Sequence, residues 1–250
     1  MASLLRCALF WGAMGLFASA SVPADARIVI EGNRAIYPAA SKEISVRAKN
    51  HADVPALAQV WVTEYEVDAD PEASRAPFAA LPPLVRIGAG KTQVFRIRHI
   101  GAELPQDRES VFWLNVLDMP GHSSEAGSPQ SEIRIAVRNR IKLFYRPEAL
   151  KGQAAGDAIG KLQWSLVPQG HSWALQVRND SPFHVNTVSA ALLVGGKRIE
   201  ADKVGIIKPK AVQQFAVPGL KARPANAEVT FKFVTEYGSA AEETVSLALD

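Results

Sequence analysis

Residues 133–145 read IRIAVRNRIKLFY. One parity carries Ile133, Ile135, Val137, Ile141 and Leu143, and the other carries Arg134, Ala136, Arg138, Arg140 and Lys142. A period of two puts these sets on opposite faces of a β-strand. An ordinary sandwich strand alternates between core and solvent in this way. The segment is far longer than the usual strand of about 5–6 residues, so part of it is expected to project beyond its sheet. Four cations on one face repel unless a partner or counter-charge stands near. A long edge strand with an apolar row is a template for pairing with another chain.

The same alternation recurs along most of the chain. Strands are expected at 34–37, 43–48, 57–65, 92–98 and 110–117, and again at 162–166, 173–178, 187–194, 212–217, 229–234 and 244–249. These runs are rich in Val, Ile, Phe, Trp and Thr, and turn residues such as Pro82-Pro83 and Gly195-Gly196 separate them. No segment has a long 3.6-residue period. The pattern predicts an all-β chain of two immunoglobulin-like antiparallel sandwiches. The small, polar stretch PEALKGQAAG at 147–156 marks the boundary. The expected organisation is a first sandwich at 27–147, a joining segment at 148–160 and a second sandwich at 161–250. No repeat relates the halves, and the polar segment GHSSEAGSPQ at 121–130 reads as a loop between strands.

The chain has 250 residues, 48% of them hydrophobic and 21% charged, which excludes a largely disordered protein. Its net charge of +3 is no signature of nucleic-acid binding. Residues 1–26 read as an export signal: Arg6, an apolar run from Cys7 to Phe17, then two A-x-A sites. Cleavage is expected after Ala26, with Ala20 as the alternative. Cleavage removes Cys7, the chain's single cysteine, so no disulfide framework is available. HExxH, GxSxG and GxxxxGK[ST] motifs are absent, and the five histidines are scattered singly, which speaks against an enzyme, a nucleotide site and a metal centre. The run Asp107-Arg108-Glu109 reads by itself as a surface ion-pair cluster of little energetic worth. Asn179-Asp180-Ser181 matches a glycosylation sequon, a common chance match.

Taken together, LPQDRESVFWLN at 104–115 and RIKLFYRPEAL at 140–150 resemble the PapD-like periplasmic chaperones of the chaperone–usher pilus pathway. Further pieces are NRAIYPA at 33–39, PALAQVW at 55–61, Pro77-Phe78 with Leu81-Pro82-Pro83, NDSPF at 179–183 and TEYG at 235–238. The resemblance covers essentially the whole chain after the signal. It implies two immunoglobulin-like domains set at an angle around a cleft, in a periplasmic protein without a cofactor. It implies a non-enzymatic role: capping pilin subunits and delivering them to an outer-membrane usher. By resemblance, Arg34 and Lys142 bind the subunit's C-terminal carboxylate. Ile133, Ile135 and Val137 form the row that fills the groove of a subunit lacking its last strand. Glu109, Arg146 and Glu236 form a buried interdomain ion network, although the family more often has Asp at the last position. A homodimer through the exposed strands would hide the apolar row. The modest loop at 121–130 and the cysteine-free mature chain resemble the branch that serves rod-forming fimbriae. From the residues alone, a secreted adhesion module of the same fold remains open.

One difficulty is internal to the long strand. Strict alternation places Lys142 on the face opposite Ile133, Ile135 and Val137. The strand must twist, bulge, or change its surroundings between them.

Overall fold

The computed structural model describes residues 27–68, 70–119 and 135–247. The expected signal, Ile133, Arg134 and the loop at 121–130 lie outside them. The first half builds β1 (Ile28–Ile30), β2 (Arg34–Pro38), β3 (Ile44–Asn50), β4 (Ala56–Glu64), β5 (Phe78–Leu81), β6 (Leu84–Ile87), β7 (Thr92–His99), β8 (Ser110–Met119) and β9 (Val137–Arg146). They form two facing sheets, ordered β1-β3-β7-β5 and β2-β9-β8-β4-β6. Two short 3-10 helices, Glu148–Leu150 and Ala155–Lys161, lead into the second half. There β10 (Gln163–Gln169), β11 (Ser172–Asn179), β12 (Val185–Val194), β13 (Lys197–Glu200), β14 (Ile206–Ile207), β15 (Ala211–Val217), β16 (Glu228–Val234) and β17 (Ala240–Ser246) follow. They form the sheets β10-β11-β15 and β13-β12-β16-β17, with β14 against β12.

Alternation places each core. Val46 and Ala48 of β3, Phe95 and Ile97 of β7, Leu114 and Val116 of β8, and Ile141 and Leu143 of β9 meet between the first pair of sheets. Trp164, Leu175, Val177, Leu192, Phe231 and Phe233 fill the second. Among the described residues no helix is long and apolar enough to cross a membrane.

The structure corrects several expectations. β1, β5, β6, β13 and β14 were not foreseen: each has at most four residues, too few to display a period. The sandwiches are not wholly antiparallel, because β2 runs parallel to β9 from Arg34↔Lys142 to Pro38↔Arg146. The chain leaves β1, which pairs with β3, and crosses to the other sheet at Glu31–Asn33. Gly32 makes that crossing at φ +97°, where a side chain would be strained. The crossing keeps the chain's direction, so β2 lies alongside the domain's last strand rather than against it.

The long strand is shorter than its pattern. β9 begins at Val137, whose partner Asp118 stands next to the end of β8. Upstream of it among the described residues, Ile135 lies outside the strand with 73% of its surface exposed, as expected of a segment that projects beyond its sheet. Nor is β9 an edge along its whole length. β2 covers residues 142–146, while among the described residues 137–141 have β8 as their one sheet neighbour.

Candidate functional site

β9 pairs with β8 in unbroken register from Val137 to Tyr145, so no bulge relieves the strand's parity conflict. Its surroundings change instead. Ile141, Leu143 and Tyr145 enter the first core. Arg140, Lys142, Phe144 and Arg146 lie on the opposite face, and from Lys142 onward that face meets the second domain. Phe144 is therefore buried on the side that the pattern assigns to solvent, with its ring 5.8 Å from that of His184.

The cations before Arg146 on this face have partners. Arg138 reaches Asp68 at 2.6 Å. Arg140 lies 3.8 Å from Asp68, and its guanidinium sits 4.6 Å from the centre of the Trp113 indole. Lys142 sits 5.4 Å from the same indole and donates a 2.5 Å hydrogen bond to Oδ1 of Asn186 on β12. Trp113 is fixed from the other side of its strand: it stacks on Tyr65 at 5.1 Å and donates through Nε1 to the Tyr65 carbonyl.

Arg34 is the direct register partner of Lys142 across the parallel ladder. Neighbours in such a ladder point to the same face, about 5 Å apart. Burial, and secondarily the charge of Arg34, hold the Lys142 ammonium below the ordinary lysine range. Burial likewise lowers the pKa of Arg34, against the opposing pull of Glu236 and Glu109. The two cations are thus kept close together and partly dry, an arrangement that favours an anion between them. A cavity of about 30 Å³ lies beside Arg34, lined also by Glu109, Arg146, His184, Asn186 and Glu236.

The ion network lies at the inner end of this cleft. Glu109, just before β8, is 3% exposed, which corrects its reading as part of a surface cluster; Asp107 and Arg108 do form an exposed pair. One Glu109 oxygen accepts Arg146 Nε at 2.9 Å. The other accepts the backbone N–H of His184 at 3.1 Å and its Nδ1–H at 2.9 Å. The Nδ1 proton follows from the partner, since a carboxylate can only accept. Arg146 also donates through Nη1 to Glu236. Burial works against the Arg146 charge, but Glu109 and Glu236 outweigh it and raise its pKa. The Glu109 N–H donates to the Pro182 carbonyl at 2.9 Å, a further backbone bond between the halves.

Of the expected site residues, Arg34 and Lys142 stand together, as do Glu109, Arg146 and Glu236. Val137 lies at the far end of β9 from the cleft, on the other face, Ile135 lies beyond that end, and Ile133 is outside the described residues. His184, Asn186 and Asn33 were not foreseen. Asn33 accepts from Arg34 Nε at 3.2 Å and donates to the Gly238 carbonyl at 3.2 Å. Asn33 opens the quoted motif at 33–39, and His184 and Asn186 lie one and three residues past the motif at 179–183, which is the signal that could have found them. Asn179 is fully buried, so the sequon match takes no glycan; its amide ties the Phe183 and Lys208 carbonyls and the Ser181 N–H. Asn50 does the same in the first domain, with Val54, Ile87 and Ala52. This pair is a structural echo between halves that show no sequence repeat. Among the described residues no group of three or more His, Cys, Asp and Glu could hold a metal ion.

Residues 27–151 match the family model for the PapD N-terminal domain of pili and flagellar-assembly chaperones. Residues 157–245 match the model for the C-terminal domain of the pili assembly chaperone PapD. The chain belongs to the PapD family of pilus-assembly chaperones. It is 37% identical over 233 residues to the probable fimbrial chaperone YadV of Escherichia coli, covering 92% of this chain and 93% of that one. It is 34% identical over 234 residues to the chaperone protein HifB of Haemophilus influenzae, covering 92% of each. The crystal structure of the YadV chaperone superposes with a TM-score of 0.74 at 35% identity, covering 89% of this chain and all of that one. The SafB chaperone of Salmonella enterica, solved in complex with the SafA pilin, gives 0.72 at 26% identity, covering 90% and 99%. This chaperone therefore has the two-domain fold of its relatives.

Proposed function

We propose that this chaperone works in the periplasm, captures a pilin subunit at the cleft and along the open flank of β9, and passes it to an outer-membrane usher. Arg34 and Lys142 bind the subunit's C-terminal carboxylate. The observation that carries this reading is their direct pairing at the mouth of the cleft, where two half-dry cations share one face. Charge-assisted bonds to one carboxylate are roughly twice as strong as neutral ones, and a chain terminus sets register without any reading of side chains.

From the anchor the subunit's strand runs along residues 141–137, where β9 has one flank unpaired among the described residues. Val137, Ile135 and Ile133 then fill the subunit's apolar groove, each contributing about 1.5–3 kcal/mol if fully buried. Ordering and association costs offset part of that. The exposed Ile135 side chain supports this role. The solved complex of SafB with a pilin supports it by likeness. The network of Glu109, Arg146 and Glu236 sets the angle between a subunit-binding domain at 27–147 and a second domain at 161–250, joined through 148–160, after a signal at 1–26 is removed. In the free protein a homodimer through the open flank would cover the same row. No catalytic step is assigned.

Co-expression with a pilin encoded beside it, followed by pull-down and sizing, tests the reading. A one-to-one complex is expected, lost in Arg34→Ala and Lys142→Ala and weakened in Ile135→Asp, which places an unpaired charge in the groove. A complex undiminished in both cation variants would sink the anchor. Failure of the folded, exported protein to hold any neighbouring subunit would favour an adhesion module.

A further inference from the structure

We infer that Asn186 is a third member of the carboxylate anchor, a positioning residue by which the second domain holds Lys142 in its binding pose and thereby couples subunit capture to domain orientation. The inference rests on the anchor reading above and goes beyond it, since that reading draws on first-domain residues alone. Asn186 belongs to β12, and its Oδ1 accepts from Lys142 Nζ at 2.5 Å. No carboxylate is paired with Lys142 among the described residues, whereas Arg138 and Arg140 each have one and Arg146 has two. A neutral acceptor matters here. An ammonium has three donors, so the amide steers one and leaves the cation's charge for a ligand. A carboxylate at this position would neutralise Lys142 and compete with the subunit.

The other cation is held by the same logic. Asn33 accepts from Arg34 Nε and donates to the Gly238 carbonyl in the second domain's β16–β17 turn. Gly238 is at φ +88°, and a Cβ there would collide with the Asn33 amide, so the close approach depends on glycine. Both anchoring cations are thus linked to the second domain through neutral amides. A change in interdomain angle moves Lys142 relative to Arg34, and an occupied anchor resists that change.

The test compares Asn186→Asp, Asn186→Ala and Lys142→Ala with the wild type, using the full mature chain and its co-expressed pilin. Folding is checked for each by thermal unfolding, and the Lys142 ammonium is titrated by NMR in the free protein. Asn186→Asp is expected to raise the Lys142 pKa and weaken subunit capture by about tenfold or more, because it installs a competing anion. Asn186→Ala is expected to leave the charge and loosen the pose, with a smaller loss. If Lys142→Ala abolishes capture while a folded Asn186→Asp captures as the wild type does, the anchor stands and the role of Asn186 is overturned. If Lys142→Ala itself captures normally, the anchor reading fails and this inference fails with it. Should Asn186→Asp fold poorly, an Asn186→Ala variant with unaltered Lys142 titration and unaltered capture overturns the inference alone.

Discussion

Replacing Arg146 by alanine should uncouple the two domains. Arg146 holds Glu109 at 2.9 Å, and the Glu109 side chain is 2% exposed against 21% for Arg146. Removing one member of a buried pair costs about 3–5 kcal/mol, because the remaining charge is stranded. His184 still donates twice to Glu109, so the lower end of that range is expected. Glu236 is 32% exposed, and its share is that of a surface pair, within about 1 kcal/mol. Arg146→Ala should therefore lose about 3 kcal/mol and Glu236→Ala about 1 or less. Urea unfolding followed by tryptophan fluorescence reads the effect, since Trp61 and Trp113 report on the first domain and Trp164 and Trp173 on the second. In Arg146→Ala the transitions of the two domains should separate, as docking no longer joins them. A loss below about 1 kcal/mol with a single sharp transition would refute the assignment of interdomain docking to this network. Glu109→Gln is an informative companion. Whichever way its amide turns, the NH2 would face a donor, either Arg146 Nε–H or the His184 N–H groups, so the isosteric change should still destabilise.

Asn179→Ala should cost about 1–3 kcal/mol in urea unfolding, since it removes the acceptor of the buried Ser181 N–H and one of two donors to the Phe183 carbonyl, and Asn50→Ala should cost a similar amount. With Lys142 in the proposed anchor, subunit binding should depend on pH. Its pKa in the free protein is depressed, mainly by burial and then by Arg34, so stability rises as pH climbs from that lowered value toward the ordinary lysine value. A bound carboxylate raises the pKa again. Binding should then take up a proton at alkaline pH and weaken as pH rises, as calorimetry in buffers of different ionisation enthalpy would show; Lys142→Arg should abolish the proton uptake. Gly238→Ala forces a side chain into the left-handed region and displaces Asn33, so about 1–2 kcal/mol should be lost on thermal or urea unfolding.

The alternation in residues 133–145, read with the short apolar runs around it, was enough for two sandwiches and for a strand with a cationic face. That follows because a period of two is a local property, imposed by backbone geometry alone. Sequence motifs also marked Arg34, Lys142, Glu109, Arg146 and Glu236 as residues to watch. What β9 faces at each position was not local. Phe144 is buried and Lys142 is half-dry because a second domain covers the side of the sheet that alternation assigns to water. Glu109 looked like one charge in an exposed run, and it became the centre of the docking network because the Pro182 and His184 backbone closes over it. The parallel partner of β9 arises from a crossing between sheets at Gly32, which no period records. His184 and Asn186 come from β12 and the turn before it, more than forty residues from Lys142 in the chain. Their chemistry depends on an interface between domains, and single-strand patterns carry no information about which surfaces meet.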